Sequence, residues 1–555
     1  MRNLVCTALL LVLAAGVIYP IYLLVLDSFA VPVPGGGTRL ALDHWRLAWG
    51  VKGVSASIVN TAAMVGVTTA ISLPIAIVLA WLNTRTDVPG KRFLTACAWI
   101  AFFLPTVPVV MGWILLLDPD YGLVNMTLMR WFGLKNPPFD IYSFWGIVFA
   151  HLLTKSIAVK YIFLLPAFRK LSAALEESSR VCGGGAFYTL RHVVIPVLAP
   201  AILITSAVAL FNALESFEVE LVLGTPWGFQ VFSTKIYTLI RAETPDFGTA
   251  TVLALGILAV IVPLIVLQRI YVSGHSYATQ SGGFRVGVTK LRAWRWPIFA
   301  LLALYALALT LVPLTLLLLG SVMRVFGYFN VANAYTLANW RSVLGDQVFL
   351  NAVSNTLILG AGAAIFGTVL AAVAAYVAVR TRYAGRSLLD FVTWIPACIP
   401  GVILSLGLLE MFLRVPLFRP FYGTIVILIV AALFASATSG VQLVKSNMIQ
   451  LGVDLEEAST VAGGSWFYTL RHVVLPLLRG TLLSVGILTF AAATRNVANI
   501  AMLVSNQNRP LAMLQLDYVA DGTNESAAII GVITVLITCG VALAAFALGG
   551  RRLQG

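Results

Sequence analysis

Charged side chains are scarce in this chain. Of its 555 residues only 10% are Asp, Glu, Lys or Arg, whereas 60% are hydrophobic. A soluble globule of this size needs more ionisable groups to cover its surface, so the composition excludes the soluble globular class. It predicts a protein that lies largely within a lipid bilayer.

The sequence also lacks the patterns that most enzymes and metal sites need. Its five cysteines show no CxxC spacing, and most of them lie in apolar runs, so neither a disulfide framework nor a metal site is predicted. The phosphate-binding motif GxxxxGK followed by Ser or Thr is absent, and the chain therefore cannot be an ATPase itself. We find no nucleophile or phosphate motif of an enzyme acting on lipid, and we predict no catalytic residue and no cofactor in this chain.

What the chain has instead is a series of apolar runs of about 20 residues, the length a helix needs to cross about 30 Å of hydrocarbon. The runs are continuous rather than alternating, which favours helices over a β-barrel. The predicted fold class is an all-α polytopic membrane protein with about twelve transmembrane helices. The predicted crossings are 4–26, 56–83, 93–117, 144–165, 197–222, 246–270, 297–320, 351–379, 388–413, 423–444, 480–504 and 525–549.

The basic residues predict the orientation. With the N-terminus inside, 21 of the 36 Lys and Arg residues fall in cytosolic segments. Both termini are therefore expected in the cytosol. This bias accounts for most of the formal charge of +14, so no nucleic-acid partner is predicted. The first run is too long for a signal peptide and no clear cleavage site follows it, so we expect it to be retained.

One segment occurs twice, 280 residues apart. We call LEESSRVCGGGAFYTLRHVVIP (175–196) the first repeated loop and LEEASTVAGGSWFYTLRHVVLP (455–476) the second repeated loop. Other matches lie 295 residues apart, such as Asn60 with Asn355 and Arg85 with Arg380. They predict two homologous halves of six crossings each in the same orientation, 1–270 and 297–555, joined by a cytosolic linker at 271–296.

Each repeated loop is predicted to be a helix, a glycine turn and a second short helix that protrudes into water. The glycines at 183–185, and at 463 and 464, can take the positive φ of a sharp turn. Pro196 and Pro476 suit the first turn of the helix that re-enters the membrane. Phe187, Tyr188 and Leu190, with Phe467, Tyr468 and Leu470, would form an apolar surface for a partner.

These residues resemble the EAA loop of permease subunits of binding-protein-dependent ABC importers of the type I fold. The family pattern begins Glu-Ala-Ala, whereas this chain has Glu-Ser-Ser and Glu-Ala-Ser, which preserves small side chains. The resemblance implies that each loop docks in a cleft of a separate ATPase subunit, which binds ATP and Mg. Because FYTLRHVV is identical in both loops, we predict a homodimeric ATPase. The expected docking residues are Glu177, Ser178, Ser179, Gly183, Phe187, Tyr188, Leu190, Arg191 and His192, with Glu457, Ala458, Ser459, Gly463, Phe467, Tyr468, Leu470, Arg471 and His472.

Charged residues within the apolar runs are candidates for a translocation pathway or for structural ion pairs. Glu215 and Glu218 are three residues apart and are expected on one face of the fifth helix. Glu215 corresponds to Arg495 at the offset of 280, and we hypothesise that these two approach each other. His151 is expected to be a hydrogen-bonded packing residue rather than a metal ligand.

The stretch ALESFEVELVLGTPWGFQVFSTKIY and the fused two-half layout look like the ferric-iron permease group, whose relatives also serve thiamine, phosphonates and polyamines. This resemblance implies a place in the inner membrane of a bacterial cell and a periplasmic binding protein that delivers the cargo. Paired carboxylates would suit the route of a cation. An ion-coupled secondary transporter is the alternative class, although it would not explain two alike loops.

Overall fold

The structure is a computed structural model that describes residues 2–32, 38–273 and 288–550. We call residues 2–273 the N-terminal part and residues 288–550 the C-terminal part. The described residues are predominantly helical. Two short strands, Ala30–Pro32 and Thr38–Leu40, pair antiparallel with Ala30 opposite Leu40.

The N-terminal part contains fourteen α-helices, two π-helices and one 3-10 helix. The α-helices are Arg2–Phe29, Asp43–Ala48, Val54–Arg85, Lys91–Phe103, Thr106–Leu117, Leu123–Phe132, Phe144–His151, Ile157–Lys170, Ala173–Val181, Ala186–Thr189, Ile195–Leu214, Glu218–Leu223, Phe232–Arg241 and Phe247–Ser273. The π-helices are Leu152–Ser156 and Leu190–Val194, and the 3-10 helix is Thr225–Trp227.

The C-terminal part follows a similar order. Its α-helices are Arg295–Leu309, Leu311–Ser321, Ala338–Gly345, Gln347–Arg380, Arg386–Trp394, Gly401–Arg414, Ile425–Gln450, Asp454–Val461, Trp466–Thr469, Leu475–Arg495, Leu511–Ala520 and Asn524–Gly550. Its π-helix is Leu470–Val474, and its 3-10 helices are Arg292–Trp294, Ile395–Cys398 and Arg419–Phe421.

Ten helices of the described residues are long and apolar enough to cross a membrane, and two bent helix pairs raise the number to as many as twelve. This confirms the predicted class of an all-α polytopic membrane protein. The predicted crossings 93–117 and 388–413 are not straight, however. Each consists of two limbs, bent by 107° after Phe103 and by 112° after Cys398. Pro105 and Pro400 lie at the bends, directly before the second limb of each pair. Proline has no N–H to donate to the preceding helical turn, and it disfavours a helical residue before it, so the first limb ends ahead of each proline.

The fifth and eleventh crossings also differ from the prediction. The helix predicted over 197–222 spans Ala186–Leu214, and the one predicted over 480–504 spans Phe467–Arg495. The chain then leaves the helix and later forms the short helices Phe232–Arg241 and Leu511–Ala520, which the sequence analysis missed. Their starts are held alike, since the N–H of Phe232 donates to Thr61 Oγ1 over 2.9 Å and that of Leu511 donates to Thr356 Oγ1 over 2.8 Å.

Each part packs one of its helices against a bent helix pair of the other part. Helix Leu311–Ser321 of the C-terminal part lies against limb Thr106–Leu117, and helix Arg2–Phe29 lies against limb Gly401–Arg414. A glycine permits each contact: a Cβ on Gly112 would lie 2.7 Å from Cα of Pro313, and a Cβ on Gly407 would lie 2.9 Å from Cβ of Pro20. Both limbs contribute to the largest buried apolar cluster, so the centre of the molecule is shared between the parts.

Gly112→Ala is expected to destabilise the protein by about 1–3 kcal/mol, because its methyl group would meet the backbone of Pro313 rather than a flexible side chain. Gly256→Ala is the matched control, since a Cβ there meets nothing within 4 Å and alanine favours a helix interior. The midpoint of thermal unfolding in detergent should fall for the first variant and hold or rise for the second. Equal midpoints would contradict the close packing.

Candidate functional site

The first repeated loop folds as two short helices around a glycine turn. Its first helix, Ala173–Val181, begins after Ser172, whose hydroxyl accepts a hydrogen bond from the N–H of Ala174 over 3.3 Å. The chain reverses at Gly183, where φ is +85°, a conformation that favours glycine. The hydroxyls of Ser179 and Thr189 lie 2.9 Å apart and tie the two helices together.

The second repeated loop has the same internal geometry. Gly463 has a φ of +83°, and the hydroxyls of Ser459 and Thr469 lie 2.8 Å apart. In both loops the second glycine packs closely, since a Cβ on Gly184 or Gly464 would lie 2.8 Å from the carbonyl oxygen of the serine five residues earlier. The two loops therefore present the same shape, although they lie far apart in sequence.

The helix after each turn runs directly into a membrane crossing. Ala186–Leu214 and Phe467–Arg495 are continuous and contain the π-helices Leu190–Val194 and Leu470–Val474. Pro196 and Pro476 lie in the first turn of the α-helices Ile195–Leu214 and Leu475–Arg495, as predicted, and a π-helix precedes each of these helices without a break. A π-helix changes the hydrogen-bonding register locally, which accommodates the N–H that each proline lacks.

Each repeated loop exposes a group of apolar side chains. Exposed fractions in the first loop are 88% for Val181, 73% for Phe187 and 54% for Tyr188. The corresponding values in the second loop are 89% for Val461, 61% for Phe467 and 52% for Tyr468. Apolar surface presented in this way on a matched pair of loops is typical of a protein-binding surface. The sequence analysis missed both valines, although each is an apolar residue directly before the turn of a mostly polar helix.

The predicted polar members of the docking surface are mostly exposed as well. Exposed side chains are those of Glu177, Ser178, Arg191 and His192 in the first loop, and of Glu457, Ala458, Arg471 and His472 in the second. The histidines stack on the tyrosines, with ring centroids 4.4 Å apart for Tyr188 and His192 and 4.3 Å apart for Tyr468 and His472.

Leu190 and Leu470 require a correction. The sequence analysis placed them on the docking surface, but Leu190 is buried and Leu470 is half-buried, and both pack against the apolar clusters. They are the first residues of the π-helices, and they pack beneath each loop. Leu190 is therefore withdrawn from the exposed docking surface, whereas Leu470 remains partly exposed.

The carboxylates near the centre of the molecule flank a break in the chain. Glu215 follows the last residue of helix Ile195–Leu214, and Glu218 begins helix Glu218–Leu223. They therefore do not share one face of a continuous helix, as had been predicted. Glu215 faces the backbone N–H of Gly401, and Glu218 accepts a hydrogen bond from the N–H of Val497 over 2.9 Å. Both carboxylates thus join the N-terminal part to the C-terminal part.

Arg495 makes the reverse connection. Its guanidinium donates to the carbonyl of Phe102 and lies 5.0 Å from the centre of that ring. No ion pair between Glu215 and Arg495 is found among the described residues, although Glu215 contacts the side chain of Asn496, which follows Arg495 in the chain. Each of the two residues lies at a helix end and faces the bent pair of the other part. A carboxylate at the start of a limb and a cation at the end of one both complement the helix dipole.

His151 has the role that the sequence analysis expected. Its Nε2 lies 2.8 Å from Oε1 of Glu220, and Ser216 Oγ donates to Oε2 of that glutamate over 2.6 Å. Glu220 was missed, since nothing in the sequence sets it apart from its neighbouring carboxylates. Among the described residues no group of three or more His, Cys, Asp and Glu side chains is arranged to hold a metal ion.

Known proteins resemble this chain over most of its length. Residues 367–554 match the family described as the binding-protein-dependent transport system inner membrane component. The ferric transport system permease protein FbpB of Actinobacillus pleuropneumoniae is 26% identical over 486 residues, which cover 86% of this chain and 68% of the relative. The probable ABC transporter permease protein y4fN of Sinorhizobium fredii is 27% identical over 501 residues, which cover 87% of this chain and 85% of the relative.

A relative from Haemophilus influenzae and one solved structure are also similar to this chain. The putative ferric transport system permease protein FbpB 1 of Haemophilus influenzae is 27% identical over 452 residues, which cover 80% of this chain and 68% of the relative. A crystal structure of a bacterial ABC transporter that imports alginate covers 46% of this chain and 96% of its own, with a TM-score of 0.39 and 15% identity. The chain is therefore similar to inner-membrane permeases of binding-protein-dependent transport systems, and ten to twelve helices of its described residues are long and apolar enough to cross a membrane.

Proposed function

We propose that the two repeated loops are the docking sites of a homodimeric ATPase, which binds ATP and Mg²⁺ outside this chain. The observation that supports this most directly is the matched geometry of the loops, with an exposed valine, phenylalanine and tyrosine on each. Two alike surfaces fit two identical clefts. The exposed Glu177 and Glu457 would meet basic residues of those clefts, where charge-assisted hydrogen bonds are strong.

The proposal also predicts how the chain is divided into halves and which side of the membrane its loops and termini face. The chain would consist of halves 1–270 and 297–555, joined by the linker 271–296, of which 274–287 lie outside the described residues. ATP is in the cytosol, so both repeated loops and both termini would face the cytosol. The reciprocal contacts of Gly112 with Pro313 and of Gly407 with Pro20 are those expected of two homologous halves.

We propose ferric iron as the cargo, delivered by a periplasmic binding protein. Two relatives at 26% and 27% identity are named as ferric transport system permeases, which supports this choice over thiamine, phosphonate or polyamine. The centre of the chain offers Glu215 and Glu218, and carboxylate oxygens suit a hard cation. These residues and Arg495 would line the translocation pathway.

In this mechanism the permease does no chemistry. Closure of the ATPase dimer on ATP would move the two docked loops together, and the helices that run directly out of them would open the translocation pathway outward. Hydrolysis would reset it inward. Glu215, Glu218 and Arg495 each connect one part to the bent pair or helix end of the other, so a relative movement of the parts would change these contacts first.

The test is uptake of radiolabelled iron by proteoliposomes that hold the permease and its ATPase, with the binding protein outside. We expect uptake that requires the binding protein and internal ATP and that persists when an uncoupler abolishes the ion gradient. Uptake of thiamine, phosphonate or polyamine in place of iron would contradict the proposed cargo. Loss of uptake with the uncoupler at constant ATP would instead indicate an ion-coupled transporter.

A further inference from the structure

A buried arginine connects the first repeated loop to two membrane helices. Arg85 is the last residue of helix Val54–Arg85 and is fully buried. Its Nη2 donates to the carbonyl of Phe168 over 2.7 Å and to the carbonyl of Leu171, at the end of helix Ile157–Lys170. Its Nε lies 3.5 Å from Oε1 of Glu176, within the loop. One guanidinium thus contacts three segments of the chain.

The same arrangement occurs at the second repeated loop. Arg380 ends helix Gln347–Arg380, and its Nη2 donates to the carbonyls of Met448 over 3.1 Å and of Leu451 over 2.7 Å. Its Nε lies 2.9 Å from Oε1 of Glu456. Every one of these residues is the sequence counterpart of a residue around Arg85, at an offset of 280 or 295. Because the contact occurs at both repeated loops, it indicates a role that the two loops share.

Adjacent glutamates in each loop point in opposite directions. Glu176 is 1% exposed and faces Arg85, whereas Glu177 is exposed to water. Successive helical residues are about 100° apart, so one short helix can present a carboxylate outward and hold another inward. Burial raises the pKa of the Glu176 carboxyl, and Arg85 and then Arg180 oppose that rise. The inner glutamate is unavailable to a partner and connects the loop to the helices behind it.

Arginine suits this connection better than lysine. Its planar guanidinium donates in several directions at once, so it can serve two backbone carbonyls and a carboxylate together. The carbonyls lie at the end of a helix, where the helix dipole favours a positive charge. A force on the loop therefore reaches the ends of two membrane helices through a single rigid group.

We propose that Arg85 and Arg380 are positioning residues that transmit movement of the repeated loops to the membrane helices. This inference rests on the proposed docking of an ATPase to those loops. It assigns the arginines to coupling and leaves binding to the exposed side chains. Removing the connection should leave the ATPase bound and hydrolysing ATP while the helices no longer follow.

The two connections differ in their support. Around the first, Arg180 lies 3.7 Å from Oε2 of Glu176, and the N–H of Thr289 donates to the carbonyl of Arg85 over 2.7 Å. Arg380 and Glu456 are less deeply buried than their counterparts. The Arg380 connection is therefore the one to test, since its loss disturbs the interior least.

The experiment compares Arg380→Ala with wild type in the reconstituted complex of permease, ATPase and binding protein. We expect ATPase affinity within about twofold of wild type, retained ATP hydrolysis, and at least a tenfold fall in cargo transported per ATP hydrolysed. Arg382→Ala, at an exposed arginine two residues away, should change none of these. Glu456→Gln keeps the carbonyl contacts of Arg380 and should give an intermediate loss of coupling.

Arg380→Lys is the second variant, for use if the alanine variant is not recovered folded. It keeps the charge but cannot serve both carbonyls and Glu456 together, so transport per ATP should again fall. Unchanged transport per ATP in these variants would overturn the inference, as would a fall in ATPase affinity that accounts for the whole loss of transport. Failure of the ATPase to bind the wild-type chain would instead overturn the proposed function.

Discussion

Replacing both Glu177 and Glu457 with alanine is expected to weaken binding of the ATPase by about 1,000-fold, because interface hot spots contribute about 2 kcal/mol or more each and 1.4 kcal/mol is tenfold in affinity. Both side chains are exposed, whereas the neighbouring Glu176 and Glu456 are already paired with arginines. The two substitutions should therefore weaken ATPase binding without destabilising the fold of the permease. The measurement is ATPase affinity for permease in nanodiscs, with uptake measured alongside.

Each single variant should lose about 30-fold, since the two loops offer equivalent surfaces and a charged hot spot contributes about 2 kcal/mol. Glu243→Ala is the control, because Glu243 is exposed but lies outside both loops. Its affinity and thermal midpoint should match those of wild type. A double variant that binds the ATPase normally and transports at the normal rate would show that these glutamates do not contact the ATPase.

Glu215→Gln combined with Glu218→Gln is expected to lower uptake of ferric iron by at least tenfold while ATPase binding is unchanged. At an effective dielectric constant of about 20, a carboxylate about 4 Å from a unit positive charge stabilises that charge by about 4 kcal/mol. Loss of a third of this energy would lower the rate of uptake about tenfold. Glutamine keeps the size and the acceptor oxygen, so the contacts of Glu218 with the N–H of Val497 and of Glu215 with that of Gly401 can persist.

Measuring both uptake and thermal stability of this variant distinguishes a role of the carboxylates in the cation pathway from a role in holding the two parts together. A lower unfolding midpoint with proportionally lower uptake would indicate that the carboxylates only hold the two parts together. Normal uptake at a normal midpoint would exclude them from the pathway of a cation. Glu243→Gln provides the control for loss of a carboxylate elsewhere.

The sequence predicted those features that depend on local chemistry. Continuous apolar runs identified most of the crossings, and the glycines at 183 and 463 identified turns that the structure places at positive φ. The constant spacing between the repeated loops predicted that both would have one shape. These inferences need only neighbouring residues and a repeat, and the structure agrees with them.

Other features depend on contacts between distant residues and could not be read from the sequence. Pro105 and Pro400 can break a helix, but bends beyond 100° become favourable only where a limb can pack against the other part, as Gly112 does against Pro313. Leu190 was assigned to the surface because it belongs to an exposed motif, and the π-helix turns it inward. Glu215 and Arg495 correspond in the repeat, yet their helix ends direct them to different partners.

The central claim, that the two repeated loops dock on two copies of the same ATPase subunit, can be tested directly with one thiol per loop. Cys182 is exposed in the first loop, and Ala462 is its counterpart in the second, so Ala462→Cys with Cys182→Ser moves the thiol from one loop to the other. Each chain is labelled with a photoreactive maleimide and irradiated in the assembled complex. In chains whose other four cysteines are replaced by alanine, we predict one ATPase adduct from a thiol in either loop alone and an adduct with two ATPase subunits when both thiols are present. Labelled loops that yield no ATPase adduct in a transporting complex would contradict the account.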